Sequence, residues 1–130
     1  MFKEKTLRDI MTQTVITGKT DMPLTEIVKL LLRWHISGIP IIDDDGRIMG
    51  IVTEHDVVQC MLSGTCSDTL AGDAMTKNVK SYPVETPVAE IIHLFGANQI
   101  RRVPVVKDDK LVGIISRRDI IREMNHIYDK

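Results

Sequence analysis

Gly50-Ile51-Val52-Thr53-Glu54-His55-Asp56 and Gly113-Ile114-Ile115-Ser116-Arg117-Arg118-Asp119 are the same short pattern met twice: a glycine, two β-branched residues, a hydroxyl residue and, three places later, an aspartate. β-Branched residues favour a strand, whereas Thr or Ser followed three residues on by an acid marks a helix start. Each copy therefore reads as a strand running directly into a helix. Working outward at an offset of 63 and then 64, Ile39-Pro40-Ile41-Ile42 falls on Val103-Pro104-Val105-Val106 and Pro23-Leu24-Thr25-Glu26-Ile27 on Pro87-Val88-Ala89-Glu90-Ile91. Asp9-Ile10-Met11-Thr12 falls on Asp73-Ala74-Met75-Thr76, and His35 on Gln99. Sixteen of about 55 aligned positions are identical, against roughly three or four expected by chance. The chain is a tandem repeat, and the slip in offset falls in a turn.

Both copies change periodicity in the same order. A short extended stretch (Thr14–Thr17; Asn78–Tyr82) leads to a helix opened by Pro23 or Pro87, residues suited to a first turn. Ile27, Leu30, Leu31 and Trp34, and likewise Ile91, Leu94 and Phe95, recur at helical spacing and are expected in the core. Two short strands follow, joined through Asp43-Asp44-Asp45-Gly46 or Lys107-Asp108-Asp109-Lys110, and then a second helix over 55–61 or 118–126. Pro40 and Pro104 cannot donate to a ladder, so each is expected at a strand start or edge. The unit is βαββα, of the α/β (α+β) class. Residues 1–62 are expected to form the first repeat with its N-terminal segment, 63–72 a linker rich in Ser, Gly and Thr, and 73–130 the second repeat.

Composition narrows the function classes. Of 130 residues, 43% are hydrophobic and 27% charged, with a net charge of -1 and a pI near 6.4. That profile fits a globular protein, and the near-zero charge argues against nucleic acid as a partner. The polar start, Met1-Phe2-Lys3-Glu4-Lys5-Thr6, has no apolar stretch, so neither a signal peptide nor a membrane span is expected and the cytoplasm is the expected location. Cys60 and Cys66 are too few for a disulfide framework.

The Asp-x-Met-Thr openings, the Gly-Ile-Pro-Ile and Arg-Val-Pro-Val strands and the duplicated Gly-x-x-Thr/Ser-x-x-Asp pattern resemble, in order and spacing, the cystathionine β-synthase (CBS) domain pair, or Bateman module. The resemblance covers nearly the whole chain. It implies two βαββα repeats packed with pseudo-two-fold symmetry, clefts between them that hold an adenosine-containing ligand, and homodimers. It also implies a regulatory module acting on a separate partner protein. The ligands implied are AMP, ADP or ATP, with NAD and S-adenosylmethionine as alternatives. By position, Asp56 and Asp119 would contact ribose hydroxyls, with Thr53 and Ser116 near ribose or phosphate. Arg101 and Arg102, just before the hydrophobic-Pro step, would reach phosphate, with Arg118 as a further candidate and Thr86 near ribose or base.

The residue types suit these roles. A carboxylate accepts two hydrogen bonds from a vicinal diol, and a helix N-terminus offers free N–H groups and a positive dipole end to an anion. The plainer reading is that Thr53/Asp56 and Ser116/Asp119 are capping boxes that only satisfy backbone donors. The copies also diverge: Arg101, Arg102, Arg117 and Arg118 align with Ser37, Gly38, Glu54 and His55, so nucleotide is expected to bind best at the arginine-rich second copy. The alternative is a dimerisation scaffold with degenerate clefts. His55, Cys60 and Cys66 match no metal-binding spacing, and no nucleophile, base or phosphate loop is arranged for catalysis, so neither a metal site nor an enzyme is expected.

Overall fold

The computed structural model describes residues 5–97 and 100–129, so 98–99, which include Gln99, and the terminal residues 1–4 and 130 lie outside it. Along the chain run α1 (Leu7–Ile10), α2 (Leu24–Trp34), β1 (Gly38–Ile42), β2 (Ile48–Thr53) and α3 (Glu54–Ser63). A 3-10 turn (Cys66–Asp68) and α4 (Ala71–Ala74) follow, then β3 (Tyr82–Pro83), α5 (Val88–Ala97), β4 (Arg102–Lys107), β5 (Lys110–Ser116) and α6 (Arg117–Tyr128). These elements form two compact units, Ile16–Val79 and Met1–Val15 with Lys80–Lys130. Each is a mixed α/β body with its own core.

In the unit 16–79, Leu24, Ile27 and Leu31 of α2 pack with Ile39, Ile41 and Val52 of an antiparallel β1–β2 hairpin. The spacing of the three leucine and isoleucine residues lays one apolar stripe on the sheet. The helix stops at His35, whose left-handed backbone (φ 52°) lets its N–H bond back to Leu31 and Leu32. Trp34, expected in the core, is the last helical residue and stands half exposed. Pro23 caps α2 from outside its first turn (ψ 140°) rather than within it.

The second unit repeats this design with Val88 and Ile91 of α5 against Val105 and Ile115 of β4 and β5. The slip in offset has its cause in the hairpin turns. Copy two turns through Asp108 and Asp109, both at positive φ, between the paired Lys107 and Lys110. That is the tight two-residue connection matching strand twist. Copy one uses a longer turn, in which Asp43 Oδ1 accepts from the N–H groups of Asp45 and Arg47, both at 2.9 Å, and Gly46 takes positive φ. Those backbone donors, Arg47 first, hold the Asp43 carboxyl below its ordinary value.

Both prolines lie within their strands, opposite Ile51 and Ile114; Pro40 is on the edge strand β1, as expected, whereas Pro104 is on β4, the middle strand of its sheet. Each of these isoleucines turns its own N–H and C=O away from the proline strand, to Thr76 (3.0 and 2.8 Å) and to Thr12 (3.0 and 2.9 Å). The ladder therefore never calls on the missing N–H. The extended stretches that open each copy are brief: one isolated bridge, Gly18 to Ile41, in the first and the two residues of β3 in the second.

Residues 63–72, expected as a linker, are stitched to the unit 16–79. Thr69 C=O accepts from Leu24 (2.9 Å), Ala71 donates to Met22 (2.8 Å) and Gly72 donates to Thr20 (2.9 Å), while the Ala71 side chain is buried in the core. Thr76 then edges β2 of the first repeat, and Thr12 edges β5 of the second. Each repeat is thus completed by the Asp-x-Met-Thr segment that precedes the other's helices in sequence.

Candidate functional site

The two strand-to-helix junctions carry the residues singled out by the repeat. Thr53 ends β2 in extended conformation (ψ 168°), which frees its hydroxyl to accept from Asp56 N at 3.2 Å while Asp56 Oδ2 accepts from Thr53 N (2.8 Å) and Oγ1 (2.9 Å). Ser116 and Asp119 reproduce this, with Oδ2 accepting from Ser116 N at 2.7 Å and Oγ at 3.0 Å. Both pairs are capping boxes in fact. Both aspartates also sit in a first helical turn, where the helix dipole favours negative charge.

The second oxygen of each carboxylate goes to residues that the sequence reading did not single out. Thr76 Oγ1 donates to Asp56 Oδ1 and Thr12 Oγ1 to Asp119 Oδ1, each at 2.9 Å. Arg122 Nη1 adds a 2.8 Å bond to Asp119 Oδ1. Asp119 is 3% exposed, whereas Asp56 is half-buried. The signal for both threonines was already present in the repeated Asp-x-Met-Thr, and the signal for Arg122 in its position three residues after Asp119 on a helix.

Around the second junction the fold gathers most of the remaining candidates. Arg102 stands directly opposite Ser116 in the β4–β5 ladder, and Arg101 C=O accepts from Arg117 N at 3.2 Å. Arg118 lies in the first turn of α6 and is exposed, as is Arg101. Thr86 lies in the same unit, buried, two residues before α5, with its C=O accepting from Leu7 N at 3.0 Å. In the first copy Gly38 faces Thr53 in place of the arginine, so that junction lacks the cation. There Asp56, Gln59, Cys60, Ser63, Thr69 and Asp73 line a cleft of about 360 Å³.

Cys60 and Cys66 are free thiols. Thr69, 3.4 Å from Cys60 Sγ, and Cys66 beside it draw the Cys60 thiol below its ordinary value, and Cys66 is raised by Cys60 in turn. Among the described residues no three His, Cys, Asp or Glu side chains are grouped to hold a metal ion, and no helix is long and apolar enough to cross a membrane.

Comparison with known proteins agrees with this geometry. The model of the CBS domain matches twice, over residues 7–63 and 71–126. Hypoxic response protein 1 of Mycobacterium tuberculosis is 30% identical over 121 residues, 92% of this chain and 85% of that protein. Three other curated relatives, all from Methanocaldococcus jannaschii and including an inosine-5'-monophosphate dehydrogenase, are longer, and the chain spans 41%, 23% and 22% of their lengths. Among solved structures, the CBS domain pair of protein MJ0100, in complex with 5'-methylthioadenosine and S-adenosyl-L-methionine, superposes with a TM-score of 0.82 at 27% identity, covering 95% of this chain and 98% of that one. CBSX2 of Arabidopsis thaliana in complex with AMP gives 0.83 at 28% identity, covering 94% and 97%. With its domain found twice and capped alike in both copies, the chain belongs to the CBS family and carries a CBS domain pair.

Proposed function

We propose that the chain is a cytoplasmic regulatory module that binds an adenosine-containing nucleotide at its strand-to-helix junctions and passes occupancy to a partner protein, with no catalytic step of its own. The observation that carries the proposal is the duplicated junction carboxylate, which in the second copy shares its β–α corner with Arg101, Arg102 and Arg118. Asp119 and Asp56 would take ribose hydroxyls, Ser116, Thr53 and Thr86 would border the sugar, and the arginines would take phosphate. The complexes of related CBS pairs with AMP, 5'-methylthioadenosine and S-adenosyl-L-methionine support an adenosine ligand.

A thermal-shift panel of AMP, ADP, ATP, NAD, S-adenosylmethionine and GTP tests this. A ligand present at about 100 times its dissociation constant stabilises the fold by about 2.7 kcal/mol, a rise of roughly 10 °C. At least one adenosine compound should produce that rise while GTP does not. A flat panel would leave the chain as a dimerisation scaffold whose carboxylates only cap helices.

Homodimerisation is supported by a second duplicated feature. Val58 and Met61 on α3 are 52% and 66% exposed, and the equivalent Ile121 and Met124 on α6 are 61% and 47% exposed. Apolar residues held in water at matching positions of both copies give each helix an apolar strip that a second copy would cover. Light scattering should show a dimer, and Met61→Glu combined with Met124→Glu a monomer of unchanged circular dichroism. A wild-type monomer at high concentration would contradict the dimer.

A further inference from the structure

An ionised carboxylate offers about four acceptor positions. At Asp119 all four are taken, by Ser116 N, Ser116 Oγ, Thr12 Oγ1 and Arg122 Nη1. At Asp56 three are taken, by Thr53 N, Thr53 Oγ1 and Thr76 Oγ1, and Asp56 is among the residues that line a cleft. The residue that makes this difference is Arg122, because its equivalent in the first copy is the uncharged Gln59. The Arg122 side chain is 59% exposed and the Asp119 side chain 2%, so the guanidinium can leave for water or an anion whereas the carboxylate cannot move out to meet a ligand.

We propose that Arg122 determines ligand specificity at the second copy: by holding the last acceptor position on Asp119 it shuts that carboxylate to an uncharged ribose, and only a ligand whose phosphate draws the guanidinium away gains access. Arg118 lies one helical turn from Arg122, so an anion attracted there meets both. The first copy, with Gln59, has no such gate and takes nucleoside and nucleotide alike. Arg122 is therefore a positioning residue acting through Asp119. This inference rests on the nucleotide-binding reading above.

Calorimetric titration of adenosine and AMP into the full chain carrying Asp56→Ala, which leaves only the second copy competent, tests it. AMP should bind roughly ten-fold or more tightly than adenosine, the worth of a charge-assisted bond that adenosine cannot displace. Adding Arg122→Gln, the residue nature uses in the first copy, should raise adenosine affinity several-fold and narrow the preference for AMP to what phosphate gains at Arg101, Arg102 and Arg118, and Arg122→Lys, which keeps the charge, should lower adenosine affinity again. A preference for AMP that is unchanged by Arg122→Gln contradicts the gate while leaving nucleotide binding intact. Loss of all AMP binding on Asp56→Ala contradicts it too. No binding of either compound to the unmodified chain overturns the nucleotide reading and the gate together.

Discussion

Replacing Asp119 with alanine should cost about 3 kcal/mol of unfolding free energy, whereas the same change at Asp56 should cost about 1 kcal/mol. The two aspartates occupy equivalent positions and cap equivalent helices, so a capping role alone would make the losses equal. They differ in what deletion leaves behind. At Asp119, 3% exposed, truncation opens a void where the carboxylate was buried, leaves the Ser116 N–H without its acceptor, and removes the bonds from Thr12 and Arg122. At Asp56 the carboxylate is only half-buried and has one bond fewer, so truncation buries less of a void and leaves fewer partners unsatisfied. Urea titration read by circular dichroism measures both, and equal midpoint shifts would show that the extra bonds of Asp119 add nothing.

Gly50→Ala should destabilise by about 2–3 kcal/mol, and Gly113→Ala by about 1 kcal/mol, although both glycines begin the same repeated pattern. A Cβ on Gly50 would lie 2.7 Å from Met75 Sδ and equally 2.7 Å from the Thr76 carbonyl oxygen. That carbonyl is fixed by its bond from Ile51 N, so relief requires breaking the Ile51–Thr76 pairing and, with it, the hydroxyl bond to Asp56. On Gly113 the Cβ would meet Met11 Sδ at 2.5 Å, the far end of a flexible side chain, while Thr12 O stands back at 3.1 Å. Melting temperatures of the two variants check the order, and an equal or reversed order would mean that the methionine, not the backbone, sets the cost.

These glycines show what the sequence made legible and what it did not. Their recurrence helped reveal the repeat, and the hairpins, the four main helices and both capping boxes could be read from local pattern. Each depends on residues close together in the chain. The reason for the glycine is a close approach by residues 75–76 or 11–12, a contact no local pattern records. Nor does a period of 64 say which copy an Asp-x-Met-Thr segment completes, since joining its own repeat or the other leaves the same sequence. The polar composition of 63–72 concealed Ala71, one small buried side chain that anchors the segment. Trp34 fitted the apolar spacing of α2, but the helix ends there and its face has turned toward solvent. Asp119 was legible as a capping or ligand residue, while its saturation depends on Thr12, 107 residues away.

The most direct test is a crystal structure of the chain grown with AMP. Nucleotide binding at the junctions predicts ribose hydroxyls within about 3 Å of the Asp56 or Asp119 carboxylate oxygens, with the phosphate at Arg101, Arg102 or Arg118 when the second copy is filled. AMP bound elsewhere, with both carboxylates still held only by their threonine, serine and arginine partners, would contradict it.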